Sequence, residues 1–534
     1  MHDAEPTIRP VTAVQEANPD TPLLGIGPMP PLPARLVGPL QRLTRRPLTD
    51  RGRSWAVALS LTLVAGLVRL WNLGLPTDRG TPVFDEKHYA PQAWQMLRGG
   101  GVEDNAGYEL VVHPPLGKQL IALGEMAMGY NGWGWRICSA LAGTVCVLLI
   151  VRIVRRMTSS TLLGGIAGVL LIADGVSHVQ ARIGMLDIFL AMFVLAAFGC
   201  LVIDREQVRE RLATVVREAR VTVTDSGPRF GVRWWRFGAG VLLGLACGVK
   251  WSGVYYLVAF AAMSLAWDAC ARRTAGVRRP WAGTLVRDLG PASWAMAVVP
   301  LGVYLATWWA WLRSETGIDR HVVGNQIGTG GPWHFMPDAL RALWYYSGAV
   351  LRFHEGLLTP AHPHPWESKP LSWPMGLRPM LYYYQSGAGA AGCGRQDCVA
   401  TVMLIGTPAL WWLALPVLGW ALWRAASGPD WRYAAALVGY AAGWLPWFGN
   451  IHRQMYFFYM TPVAPFLVIA ATVVLGEILG RAADGAERRG TGLLVVSLYV
   501  GLVVANFIWL WPILTGGSIT PERWNTELWL PSWR

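Results

Sequence analysis

Charge is scarce in this sequence. Asp, Glu, Lys and Arg make up 15% of its 534 residues, against about 25% in an ordinary soluble domain. With 53% hydrophobic residues, that deficit excludes a plain soluble enzyme and points to lipid. The formal net charge of +13 would otherwise suggest nucleic acid. The arginines instead gather in short runs between apolar segments, as in cytoplasmic loops of membrane proteins, so no nucleic-acid partner is expected. Cysteine is scarce too. Seven scattered residues exclude a disulfide framework. Cys138, Cys146, Cys200, Cys247 and Cys270 lie in or at the end of apolar segments and read as packing residues. Metal motifs are missing: no HExxH, CxxC pair or carboxylate cage accompanies His362 and His364. No metal ligands are assigned and no cofactor is required, with a divalent ion left open. No apolar run precedes Trp55, so residues 1–50 read as a disordered cytoplasmic tail and not as a signal peptide. An internal repeat is absent as well, which counts against a transporter built from duplicated halves.

What is present is apolar length. Runs approaching the 20 or so residues of a membrane span occur near 54–75, 134–154, 159–175, 184–203, 235–250, 252–270, 290–312, 401–423, 432–449, 456–479 and 491–514. The expected fold is an all-α integral membrane protein with about 11 transmembrane helices. Thirty tryptophans suit the membrane–water boundary. Arginine alternation sets the orientation. Arg51 and Arg53, Arg152 to Arg156, Arg272 to Arg279, and Arg481 to Arg489 fall on one side, the cytoplasm by the positive-inside rule. The multi-span domain then runs over 51–514, with long outer loops at 76–133 and 313–400 and an outer tail at 515–534. Residues 116–130 are regular but too short to span, and read as a surface helix. In the inner segment 204–233, Val208, Leu212, Val215, Val216 and Ala219 share a helical face. That segment is either an amphipathic helix on the inner leaflet or a charged linker.

Polar residues collect at the outer side. Phe84-Asp85-Glu86-Lys87-His88-Tyr89 follows the first span, and His113-Pro114-Pro115-Leu116-Gly117-Lys118 returns before the second. Adjacent residues do not share a helix face, so one of Asp85 and Glu86 is expected to enter a pocket while the other supports it. Arg136, Arg182 with Asp187, Lys250, and Arg453 stand at outer ends of spans. Charge there is usually paired or functional, and these cations would suit a phosphate. Trp366 and Trp373, in a proline-stiffened loop, offer flat faces for sugar or peptide. Cys393 and Cys398 flank a short polar loop that a disulfide would close if the loop is outside the cell.

Carboxylates facing outward cannot draw on cytoplasmic nucleotide sugars. A group-transfer enzyme there needs a donor carried in lipid. A polyprenyl phosphate supplies a phosphate for Arg and Lys and a tail for apolar grooves. A carboxylate then takes the proton of an acceptor hydroxyl, while cations stabilise the departing phosphate.

From about residue 50 onward the sequence resembles the protein O-mannosyltransferases. The resemblance rests on Phe84-Asp85-Glu86 with His88-Tyr89, on His113 through Lys118, on Arg182 through Asp187, on Gly248-Val249-Lys250-Trp251-Ser252-Gly253, and on Ser368-Lys369-Pro370-Leu371-Ser372-Trp373. It implies a membrane-embedded GT-C glycosyltransferase that moves mannose from polyprenyl-phosphate mannose to Ser or Thr of exported proteins, with inversion. Asp85 matches the family's base and Glu86 its neighbour. Arg136, Arg182, Arg453, Lys118 and Lys250 are then the donor-phosphate candidates, and His113, Asp187, Trp366 and Trp373 the substrate candidates. The expected site is a multi-pass plasma-membrane protein's extracytoplasmic face, with the protein-export machinery a candidate partner. The second outer loop lacks the inserted soluble domain of eukaryotic members, as in a bacterial form. Two alternatives stay open: a related transferase acting on lipid A or a cell-wall polymer, and a transporter.

Overall fold

The computed structural model describes residues 34–44, 49–103, 112–219, 226–428, 430–480 and 484–534. The chain is mostly helical, in chain order α1 (Ala34–Leu43), α2 (Arg51–Leu70), α3 (Glu86–Arg98), α4 (Leu116–Met128), α5 (Gly134–Thr158), α6 (Thr161–Ile172), α7 (Gly175–Gln180), α8 (Asp187–Ala219), α9 (Trp234–Val249) and α10 (Gly253–Thr274). Beyond these lie a long helix over Pro280–Thr307, a helix Asp338–Gly356, and apolar helices over Pro408–Ser427, Trp431–Trp444, Ala464–Leu479 and Ala486–Thr515.

Each expected span coincides with a helix, but not each is long enough to cross alone. Among the described residues, seven helices have spanning length and apolarity. α6, α9, Trp431–Trp444 and Ala464–Leu479 have 12 to 16 residues, fewer than the roughly 20 of a straight crossing. The expected 401–423 span begins too early: residues Val399–Leu404 are a strand.

That strand corrects the all-α expectation locally. β1 (Met380–Ser386), β2 (Val399–Leu404) and β3 (Ser518–Ile519) form an antiparallel sheet in the order β1-β2-β3. Cys393 and Cys398 are disulfide-bonded, with Cα atoms 5.8 Å apart, in the connection between β1 and β2. The 515–534 segment is built into the fold: β3 extends the sheet, Pro521–Glu527 is helical, and Trp533 is fully buried.

On the opposite side, α8 runs unbroken for 33 residues, about 50 Å and well past a hydrocarbon core of about 30 Å. The first part of the expected inner segment is therefore its extension. Val208, Leu212, Ala213 and Val216 pack with Leu40 and Leu43 of α1, Phe230, and Ala271 and Ala275. Protein covers this face, not lipid headgroups. α1 also puts a helix inside the expected tail, whose residues 1–33 lie outside those described.

Ion pairs lock this end: Arg236 to Asp268 at 2.6 Å and Arg272 to Asp288 at 2.8 Å are buried, and Arg155 reaches the partly exposed Asp50 at 2.6 Å. Close packing draws α9 against Pro280–Thr307. A Cβ at Gly240 would lie 1.8 Å from the Ala295 carbonyl oxygen, and one at Gly244 would lie 2.7 Å from that of Pro300. The glycine stripe is what permits the approach. At the other end, α3, α4 and Asp338–Gly356 lie between spans and wall the site.

Candidate active site

The chain enters α3 through a strained residue. Phe84 has φ +49°, a conformation that costs on the order of 1–3 kcal/mol in a bulky residue and persists only where neighbours enforce it. They do: its ring stacks on Tyr382 at 4.5 Å and meets Phe458 edge-on at 6.2 Å. The next two residues then diverge. Asp85 sits at the N-cap position but its side chain makes no capping hydrogen bond. It lines a cavity of about 740 Å³. Glu86 turns into the protein and is fully buried.

Glu86 is saturated. It accepts from Arg136 Nε at 2.7 Å and Nη2 at 2.8 Å, from the Gly184 N–H at 2.6 Å and from the Val83 N–H at 3.2 Å. Arg136 also donates to the carbonyls of Leu73 and Pro76. It staples the entry of α3 to α5 and does not line the cavity. Arg182 donates to the carbonyls of Arg69 and Trp71, at 2.7 and 2.6 Å, closing the end of α2. It too lies off the cavity lining.

The other three expected cations do line it. Lys250, the residue that ends α9, donates to both oxygens of Asp187, the first residue of α8, at 3.0 and 2.9 Å. Lys118 is ion-paired with Glu103. Arg453 has no carboxylate partner among the described residues. Its guanidinium donates to Tyr459 Oη and His354 Nδ1, both at 3.2 Å. It lies 5.5 Å from the centre of the Trp447 ring, which stacks on Tyr459 at 4.2 Å. An aromatic bed thus holds one uncompensated cation at the cavity wall.

Titration follows from these positions. Burial raises the Asp85 carboxyl above its ordinary range; Lys250 and His88 oppose that, and Asp187 adds to it. His113 is held well below the usual imidazole value by burial and by the cations Lys250, Lys118 and Arg453 with His354. His354 is pushed down to about 4, again by burial first and then Arg453 and Lys250. Both imidazoles are neutral at pH 7, 5.8 Å apart. The arrangement offers a basic carboxylate, a cation, neutral hydrogen-bonding rings, and apolar walls from Leu190, Tyr255 and Pro446.

Of the expected site residues, the structure therefore brings together Asp85, His113, Lys118, Asp187, Lys250 and Arg453. Trp373 is in the core, donating to Ser368 Oγ at 2.8 Å. Trp366 packs beside Arg378. Neither lines the cavity. His354, Trp447 and Tyr459 do, although the sequence reading did not single them out. Tyr459 stood within the aromatic run after Arg453; His354 carries no motif at all.

A family model described as dolichyl-phosphate-mannose-protein mannosyltransferase matches residues 124–312. A second, for the C-terminal four TMM region of protein-O-mannosyltransferase, matches 339–533. A polyprenol-phosphate-mannose–protein mannosyltransferase of Mycobacterium tuberculosis is 57% identical over 517 residues, 97% of each chain. The chain belongs to the protein O-mannosyltransferase family. Its namesake in Corynebacterium glutamicum is 42% identical over 489 residues, covering 90% of this chain and 93% of that one. This protein O-mannosyltransferase is accordingly a membrane glycosyltransferase. Its fold is shared with the Saccharomyces cerevisiae protein O-mannosyltransferase Pmt1-Pmt2 complex bound to the sugar donor, at TM-score 0.68 and 14% identity, over 90% of this chain and 93% of that one. That is the GT-C architecture.

Proposed function

We propose that this enzyme transfers mannose from polyprenyl-phosphate mannose to Ser or Thr hydroxyls of exported proteins, at the outer face of the plasma membrane and with inversion. The family supports the donor and the protein acceptor. The observation that carries the mechanism is the divergence of the two acids: Glu86 is consumed by Arg136, while Asp85 enters the cavity with its carboxylate made more basic by burial. In the step proposed, the acceptor oxygen bonds to sugar C1 as the C1–O bond to phosphate breaks. The electron pair leaves with the polyprenyl phosphate, and the hydroxyl proton passes to Asp85. Arg453 meets the charge growing on the phosphate. Lys250, held by Asp187, orients near it, and neutral His113 is suited to sugar hydroxyls. No cofactor enters this scheme.

The test is Asp85→Asn, which keeps size but loses basicity. With radiolabelled donor and a Thr peptide, donor binding is expected to survive and transfer to fall about 10²–10⁴-fold. A purified Asp85→Asn enzyme that keeps more than about half its rate would remove the base from the mechanism.

A further inference from the structure

The acceptor needs a path to Asp85, and one edge of the small sheet lies beside it. β1 pairs with β2 along one side only. Its other edge has no backbone partner among the described residues. Such an edge is a ready template for another strand, and native sheets usually cover or blunt it. Here it is joined to the site through Tyr382. Leu381 pairs with Met403 and Tyr383 with Val402, so Tyr382 is the extra residue of a bulge. Bulges re-aim a side chain, and this one sends Tyr382 inward. Its hydroxyl accepts from Gln180 Nε2 at 2.8 Å. Its ring stacks on Phe84, the residue before Asp85, and Phe84 in turn meets Phe458 in the cavity wall. Tyr384, two residues along, is 48% exposed. No residue of β1 lines the cavity itself; the strand runs from the Phe84 ring, next to Asp85, out to solvent.

We infer that the free edge of β1 is the acceptor-docking surface, taking an extended segment of polypeptide as a fourth strand. The inference rests on the reading that the acceptor is a protein. Neighbouring strands lie about 4.8 Å apart, and successive side chains alternate between faces. Every second side chain of the added strand would share the inward face of Tyr382, beside Phe84 and Asp85. A Ser or Thr at such a position presents its hydroxyl to the base, while its neighbours point away. Main-chain pairing gives affinity without demanding a sequence. The Cys393–Cys398 disulfide fixes the connection to β2, so the edge is preset and less ordering is left to binding.

Backbone N-methylation of the acceptor reads this directly. Nine-residue fluorescent peptides with one central Thr, each methylated at one amide, are titrated onto the purified full-length protein by anisotropy, and mannose transfer is measured in parallel. Methylation at alternate positions is expected to weaken binding about three- to tenfold, the worth of one hydrogen bond, with intervening positions unchanged. Equal effects at all positions, or no binding of the unmodified peptide, would overturn the docking edge. So would a Tyr384→Cys variant that crosslinks to a second copy of itself across this edge. Alternation in binding without transfer leaves the edge standing and sinks the mannosyl-transfer reading; transfer without alternation does the reverse.

Discussion

On the proposed mechanism two neighbouring acids divide catalysis from stability, so substitutions at each should be read by different instruments. Removing one partner of a buried ion pair typically costs about 3–5 kcal/mol. Arg136→Ala is expected to lower the melting temperature sharply, because Glu86 is left buried without its guanidinium partner. A raised donor KM with unaltered melting would instead make Arg136 a phosphate contact. Asp85 answers to pH. A protonated carboxyl accepts no proton, so with Asp85 as the proposed base kcat/KM is expected to fall as pH drops through the Asp85 pKa, which burial has raised. The acid limb should thus lie above the ordinary aspartate range. Lys250→Met removes a cation that lowers that pKa and should move the limb to still higher pH; a limb that stays put separates Asp85 from it. Asp85 was legible in the sequence because Asp-Glu follows a span. The fates of Arg136 and Arg182 were not, since a guanidinium at a span end looks the same whether it meets phosphate, a carboxylate 50 residues away in sequence, or a helix carbonyl.

Elements were legible where apolar length decided them and not where packing did. Each expected span contains a helix, though the one at 401–423 opens on a strand, yet the glycines of α9 went unremarked because their meaning lies in the partner helix. Gly244→Leu would drive a side chain into the Pro300 carbonyl. Overpacking of this kind typically costs about 1–3 kcal/mol, so a lowered melting temperature is expected with donor KM unchanged in the folded fraction. Unchanged melting would mean that α9 and Pro280–Thr307 do not meet as closely as described. The sheet was missed for a related reason. Val399–Leu404 is apolar and runs almost directly into the helix starting at Pro408, and a short buried strand cannot be told from helix by hydrophobicity alone. The C-terminal part of α8 was missed because its arginines read as a loop, while its apolar face is covered by α1, which lies in a stretch of mixed composition.

The whole molecule keeps its two ends chemically distinct, and that asymmetry is the basis for its orientation. At one end Arg155, Arg233, Arg236 and Arg272 are sunk into pairs with Asp50, Asp204, Asp268 and Asp288, and further arginines such as Arg273 and Arg279 stand exposed. At the other end Asp85, Asp187, Lys250 and Arg453 surround the cavity. Lys and Arg near span ends set topology while Asp and Glu contribute little, so the paired arginines still count towards the cytoplasm. On the proposed orientation the cavity end is outside, where only a lipid-borne sugar can reach it. Leu371, 81% exposed in the 313–400 segment, and Arg279, exposed in 271–289, report the two ends. In a background with the exposed free cysteine Cys270 replaced by Ser, a membrane-impermeant maleimide added to whole cells is expected to label Leu371→Cys. Arg279→Cys should react only after the membrane is opened. The reverse pattern would put the cavity inside, give it access to nucleotide sugars, and remove the reason for a polyprenyl-phosphate donor.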